Sequence, residues 1–240
     1  MLATFKRELG AYFTSPVGYV FIAACMLISG FILHGLVLLR GSADLSPVFM
    51  LMFFVILIFV PVLTMRLMSE DKRQKVDQLL LTAPVSLTAI VVGKFLSAYA
   101  VFIMGVCVLP VYGIVLSFFT TVSWMTLWGN FAGIVLLGGI YVALGLFVSS
   151  LTENQMIAAI GSMFLNLVMF AFNPLANEVS KFVNDFFQFI PNALRSISVF
   201  DRYRQFTLGI FALPNILFFI TGIAVFLFLT VRVLERRRWA

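Results

Sequence analysis

Six apolar stretches are spaced along the chain: Gly18 to Leu39, Leu45 to Met65, Phe95 to Phe119, Leu127 to Val148, Met156 to Asn173 and Ile210 to Val231. Each approaches the ~20 apolar residues a helix needs to cross the hydrocarbon layer, where an unpaired backbone group meets no water. None shows the alternation of apolar and polar positions that lipid-spanning strand pairs require. The pattern predicts an all-α integral membrane fold, with six transmembrane helices in a single domain over residues 1–240.

Three segments outside these spans carry patterns of their own. Before the first span, Leu2, Phe5, Leu9, Tyr12 and Phe13 share one arc of a helix, with Thr4, Arg7, Glu8 and Ala11 away from it. That predicts an interfacial helix over residues 1–15 lying flat on the membrane; a simple cationic flank is the plainer alternative. Pro16 and Gly18 suit the bend that follows. Residues 66–85, RLMSEDKRQKVDQLLLTAPV, crowd Glu70, Asp71, Lys72, Arg73, Lys75 and Asp77 together, while Val76, Leu79 and Leu80 recur at helical spacing. A short amphipathic helix is expected there, ended by Pro84, with Ser86 capping the next. Its leucines either meet a partner or pack on the chain's own spans. In residues 174–209, Val179, Phe182, Val183, Phe186 and Ile190 repeat near helical period until Pro191. One or two helices resting at the opposite surface, or dipping into it, are expected, either closing a path through the bundle or acting as a lid without that role.

Composition strengthens the membrane reading. Of 240 residues, 62% are hydrophobic and 11% charged, with a mean hydropathy of +1.10, against about 25% charged in an ordinary soluble domain. A net charge of +6 in a soluble protein would raise the question of nucleic acid; here the positions of the cations matter more, and no nucleic acid is expected. With the amino terminus in the cytoplasm, six crossings return the carboxyl terminus there. Eleven of the sixteen Lys and Arg then fall on the cytoplasmic side and five opposite, as the positive-inside rule requires. Trp124 and Trp128 fit the outer interface and Trp239 the inner one. The first apolar run is longer than a signal-peptide core and lacks a small-residue cleavage site, so the amino terminus is expected to stay attached.

The chemistry is sparse. No phosphate-binding Gly-x-x-x-x-Gly-Lys-Ser/Thr loop occurs: around Gly93 and Lys94, Phe95 follows the lysine and Thr88 stands where the first glycine belongs. Cys25 and Cys107 lie in apolar runs and form no Cys-x-x-Cys pair. The six stretches hold almost no ionisable side chain, which disfavours proton- or cation-coupled transport, and His34 is a lone interfacial histidine. The chain is therefore expected not to be an enzyme and to bind no cofactor or metal. Gly138, Gly139 and Gly145 are expected to let helices approach closely. Asn166 is a candidate for lining a pathway, interhelical hydrogen bonding being the other role open to it.

The segment EDKRQKVDQLLLTAPVSLTAIVVGKF, Glu70 to Phe95, resembles the cytoplasmic loop of ABC-2-type permeases, with a charged run, Leu-Leu, a proline turn and Gly-Lys leading into the third span. Three further pieces agree in order: KRELGAYFTSPVGYV, SSLTENQMIAA and FDRYRQFTLGIF. The likeness covers essentially the whole chain and is closest to the short gliding-motility-type permeases. It departs at Lys75 and Val76, where the commonest family form has Gly-Thr.

The resemblance implies a multi-pass permease subunit of an ATP-driven exporter in the bacterial inner membrane. ATP and Mg would bind at a separate ABC ATPase, expected in two copies beside a second permease copy or a paralogue. The loop over residues 66–85 would form a coupling helix docking on the ATPase through Glu70, Asp71, Arg73, Val76, Asp77, Leu79, Leu80 and Leu81, with the flat amino-terminal helix beside it. Arg66 and Glu70, four apart, would brace its base if the helix runs through them. The gliding-type likeness also implies a large extracytoplasmic companion. It keeps a different function in play, a membrane scaffold or mechanotransmitter that uses an ATPase to act on envelope proteins without moving a solute. Membrane lipid is the remaining partner.

Overall fold

The computed structural model describes residues 2–41, 44–75, 86–182, 195 and 198–239, with residues 181, 182, 238 and 239 as backbone only. Among the described residues the chain is predominantly helical and contains no strand. Helix α1 covers Leu2–Thr14. Span 1 is α2, Pro16–Leu33, closed by a π-helical turn over His34–Leu38. Span 2 joins α3, Ser46–Thr64, to α4, Arg66–Arg73. Span 3 joins α5, Leu87–Val106, to α6, Val108–Ser117. Span 4 is α7, Trp124–Leu151, and span 5 lies in α8, Gln155–Phe182. After α9, Val199–Thr207, span 6 lies in α10, Leu213–Trp239. All six spans are long and apolar enough to cross a bilayer, and their even number returns both termini to one end.

Span 4 is the axis of the bundle. It is the most enclosed of the six, whereas spans 1, 5 and 6 keep most of their surface outside. Glycine makes that axial position workable, because a Cβ on Gly138 would lie 2.0 Å from Phe102 in span 3 and one on Gly145 2.1 Å from Thr64 Oγ1 in span 2. A Cβ on Gly139 would similarly meet Ile223 of span 6 at 2.7 Å. Without an interhelical hydrophobic drive inside lipid, such close approach supplies the packing that holds spans together.

Two spans reach further into charged sequence than hydropathy suggests. Span 2 continues as helix through Arg73, past the expected start of the loop at Arg66, and span 3 starts at Leu87, so Lys94 stands inside it rather than before Phe95. The helix tolerates these charges because neighbouring elements pair with them. Span 5 likewise runs on through Pro174 to Ser180. At the end of the bundle away from the termini, α9 dips inward: Tyr203 is buried and its hydroxyl donates to Phe49 O of span 2 at 2.8 Å. Ser198 caps α9 by accepting from Asp201 N, and Gly209, at φ +75°, takes the left-handed turn that ends it. The repeat positions Val183, Phe186 and Ile190 lie outside the described residues.

Candidate functional site

The terminal end of the bundle is organised around one buried cation. Lys94 is 1% exposed, and an ammonium there needs partners for its three protons. Its Nζ donates to Leu67 O at 2.6 Å and to Glu8 Oε1 at 2.9 Å. Asp71 Oδ2 stands 2.8 Å away as an ion pair but makes no hydrogen bond in return, so that contact is electrostatic rather than directional. Lys94 thereby ties α1, α4 and span 3 together. Tyr12 adds a second tie, its hydroxyl donating to Leu63 O of span 2 at 2.8 Å.

Further charges brace the same corner. Arg66 Nε donates to Glu70 Oε2 at 2.8 Å, the four-residue pair expected if the helix ran through them, and Arg66 Nη1 reaches Ser15 Oγ at 3.0 Å. Arg7 donates to Glu8 Oε1 at 2.6 Å. These side chains surround a cavity of about 280 Å³ between α1 and α4, lined by Arg7, Glu8, Tyr12, Arg66, Glu70 and Asp71 among others. Burial opposes ionisation of Glu8, but the charge of Lys94 and the hydrogen bonds from Arg7 and Lys94 outweigh it and hold the carboxyl below its ordinary range. The hydrogen bond to Glu8 also raises Arg7.

A pH dependence follows from Glu8. Because its pKa is depressed in the folded protein, its contribution is full above the ordinary glutamate value of about 4.3 and is lost as pH falls through the lower folded value. We expect α1 to stay docked from pH 7 to 5 and to release on acidification below 4, and Glu8→Gln to abolish that dependence. A spin-label distance between α1 and span 3 measures it.

Span 4 grips α4 from the other side. Ser149 Oγ accepts from Met68 N and Ser69 N, both at 3.1 Å, and donates to Met65 O at 2.9 Å. A side chain inserted at the break of a helix in this way is a recognised cause of a kink, and span 2 is interrupted at Met65. Lys72, also buried, donates to Ser150 O. Arg73 is exposed and borders a surface depression with Glu153, Asn154, Gln155 and Met156.

Helix α4 ends where Lys75 adopts φ +57°, a left-handed conformation that costs a non-glycine residue roughly 1–2 kcal/mol. Glycine at this position, as in the commonest form of the resembling family, takes that turn without the cost. Of the residues expected to contact a partner, Glu70 and Asp71 join the ionic cluster, whereas Arg73 borders the separate depression beside Glu153. Val76, Asp77, Leu79, Leu80 and Leu81 lie outside the described residues. Asn166 is elsewhere, fully buried in span 5, with Nδ2 donating to Leu57 O of span 2 at 3.4 Å.

Sequence reasoning passed over Glu8, Tyr12, Lys94 and Ser149 as members of this site. A signal for Lys94 was present: a lone cation in the apolar run VVGKFLSAY is expensive in a span unless it is paired and functional. Beginning the span at Phe95 concealed it.

Three of the four sequence pieces that resemble permeases therefore meet at one end: Glu8 and Tyr12 from the first, Glu70, Asp71 and Lys94 from the second, Ser149 to Gln155 from the third. The fourth forms α9 at the other end. Six spans around a glycine-rich axis, with a charged helical extension clamped at the terminal end, define a multi-pass membrane protein. Residues 39–232 match the profile of the ABC-2 family transporter protein, and the chain belongs to that family. Membership implies an ABC ATPase as partner. No curated protein matches the sequence.

Proposed function

We propose that this chain is the permease subunit of an ATP-driven exporter, oriented in the bacterial inner membrane with both termini in the cytoplasm. The observation that carries this reading is the clamp on α4: Lys94 ties it to α1 and span 3 and Ser149 ties it to span 4, while Tyr12 fixes α1 to Leu63 O of α3 just before it. A force applied to residues 76–85 is delivered through α4 into three spans at once. The excess of Lys and Arg at this end supports its cytoplasmic placement. Two such chains, or one beside a paralogue, would pair with two ATPase subunits, which bind ATP and Mg. Closure of the ATPase pair moves the α4 ends and changes access to the path between permeases, a rigid-body switch at an interface. Residues 70–81 transmit force rather than perform chemistry, with Leu79 and Leu80 as the apolar contact.

Pull-down of the tagged protein from its own membranes in mild detergent tests this. We expect a soluble chain with a phosphate-binding loop and ATP hydrolysis to co-purify, and Leu79→Asp with Leu80→Asp to reduce both at least tenfold. No ATPase with the unaltered protein defeats the reading; full recovery with the double variant defeats the docking contact. A stimulating extracytoplasmic companion without any transported molecule in vesicles selects the scaffold and gliding-type reading instead.

A further inference from the structure

The end of the bundle away from the clamp is poor in cations, yet three of the five Lys and Arg that the sequence assigns to it, Arg195, Arg202 and Arg204, line one cavity of about 470 Å³. Asp201 is the one carboxylate in its described lining. The cavity lies between α9, which contributes Asp201 to Gln205, and the start of span 6, which contributes Asn215. Like charges brought together repel, so a cluster of this kind asks for an anion.

Neutral groups position the guanidiniums. Arg195 Nη2 donates to Asn177 Oδ1 of span 5 at 3.1 Å, an amide contact that fixes the side chain without cancelling its charge. Arg202 Nη1 donates to Asn215 Oδ1 at 3.2 Å and its guanidinium lies 4.2 Å over the Phe218 ring. Asn215, buried, is itself oriented by donating to Gln205 Oε1 at 2.6 Å. Arg204 is exposed and makes no side-chain hydrogen bond or ion pair among the described residues, and Asp201 pairs with none of the three arginines. A guanidinium carries five donors in a planar fork that matches two oxygens of a phosphate. Arg195 and Arg204 therefore keep most of their donors for an incoming anion, and arginine suits phosphate better than lysine does.

The apolar surroundings narrow the choice of anion. Leu208 is exposed in the cavity wall. Phe218 and Val225, seven residues apart, share a face of span 6, where Val225 and neighbouring Leu217 are exposed. The Arg202 guanidinium thus stands at the head of an apolar, outward-facing strip, at the level where the spans end. We propose that this cavity binds the headgroup phosphate of an anionic phospholipid. Arg195 and Arg204 are its ligands, Arg202 and Asn215 shape the wall, and the acyl chains lie along the exposed face of span 6. The site goes beyond the coupling role and stands whichever leaflet this end faces.

Native mass spectrometry of the full chain in mild detergent tests this, with phosphatidylglycerol as the probe. We expect phosphatidylglycerol to be retained in preference to phosphatidylcholine. Arg195→Gln and Arg204→Gln should each weaken its binding about fivefold, and the pair about thirtyfold. Asp201→Asn removes the opposing charge and should tighten binding by about the factor lost with one arginine, a gain that a merely structural role would not produce. Arg236→Gln with Arg237→Gln removes the same charge from exposed positions near the other end and should leave binding unchanged. An equal loss in that control pair overturns a discrete site in favour of diffuse attraction. Equal retention of phosphatidylcholine, or no gain in Asp201→Asn, overturns recognition of the anionic headgroup. Displacement of the lipid by inorganic phosphate at comparable concentration overturns the lipid as the source and leaves a site for free phosphate.

Discussion

Lys94→Met is expected to destabilise the protein by about 3 kcal/mol, within the range seen when one partner of a buried ion pair is removed. The methionine keeps the apolar stem and deletes the ammonium, leaving Leu67 O without its donor and Asp71 Oδ2 without its counter-ion. Glu8 keeps Arg7 at 2.6 Å, and both carboxylates retain some exposure; these features place the loss at the lower end of that range. Denaturant unfolding in mild detergent measures it, and a spin-label distance between α1 and span 3 should lengthen in the same variant. The control is decisive. Combining Lys94→Met with Glu8→Gln and Asp71→Asn removes the orphaned charges and should recover part of the stability, because the cost of breaking a buried pair lies largely in the uncompensated charge it leaves. Unchanged stability in the single variant would mean that Lys94 is not the centre of the clamp.

How far the sequence foretold this corner depends on which physical signal each residue leaves. The spans were legible because hydropathy over a span-length window is a strong, local signal, and α1 because its apolar arc repeats at helical period. The ends of the spans were not. Hydropathy counts Asp71 and Lys94 as exits from the membrane, whereas in the fold these two charges, distant in sequence, compensate each other. Compensation of that kind is a tertiary property with no local trace. The Arg66–Glu70 pair was readable because its four-residue spacing is local. Ser149 left no signal, since a serine in a span is most often a small packing residue, and its place in the break at Met65 exists only once spans 2 and 4 are in contact. Asn166 is a similar case: its donation to Leu57 O becomes intelligible only beside Pro61, inside span 2, which has no N–H for that carbonyl.

The axial glycines carry the other large effect. Gly138→Ala would place a Cβ 2.0 Å from Phe102 Cε1 and 2.1 Å from Cζ, far inside contact distance, so either the ring or the helix must move. The ring has no free direction: it is fully buried, stacked on Tyr99 with centroids 6.2 Å apart and packed against Phe21 at 6.3 Å. Tyr99 is itself stacked on Phe95 at 5.4 Å, and its hydroxyl is anchored to Val135 O of span 4. Displacing Phe102 therefore disturbs a column of three rings along span 3, and we expect a loss near the upper end of the ~1–3 kcal/mol typical of overpacking. Phe102→Leu in the same chain should restore part of it by vacating the ring's volume. Gly10→Ala supplies the contrast: nothing lies within 4 Å of a Cβ at that exposed position of α1, so the gain in helix propensity, up to about 1 kcal/mol, is unopposed. Thermal unfolding of the three variants should rank Gly10→Ala above the double variant and the double variant above Gly138→Ala. Equal stability of Gly138→Ala and Gly10→Ala would show that close approach of spans 3 and 4 is not what holds the axis of the bundle.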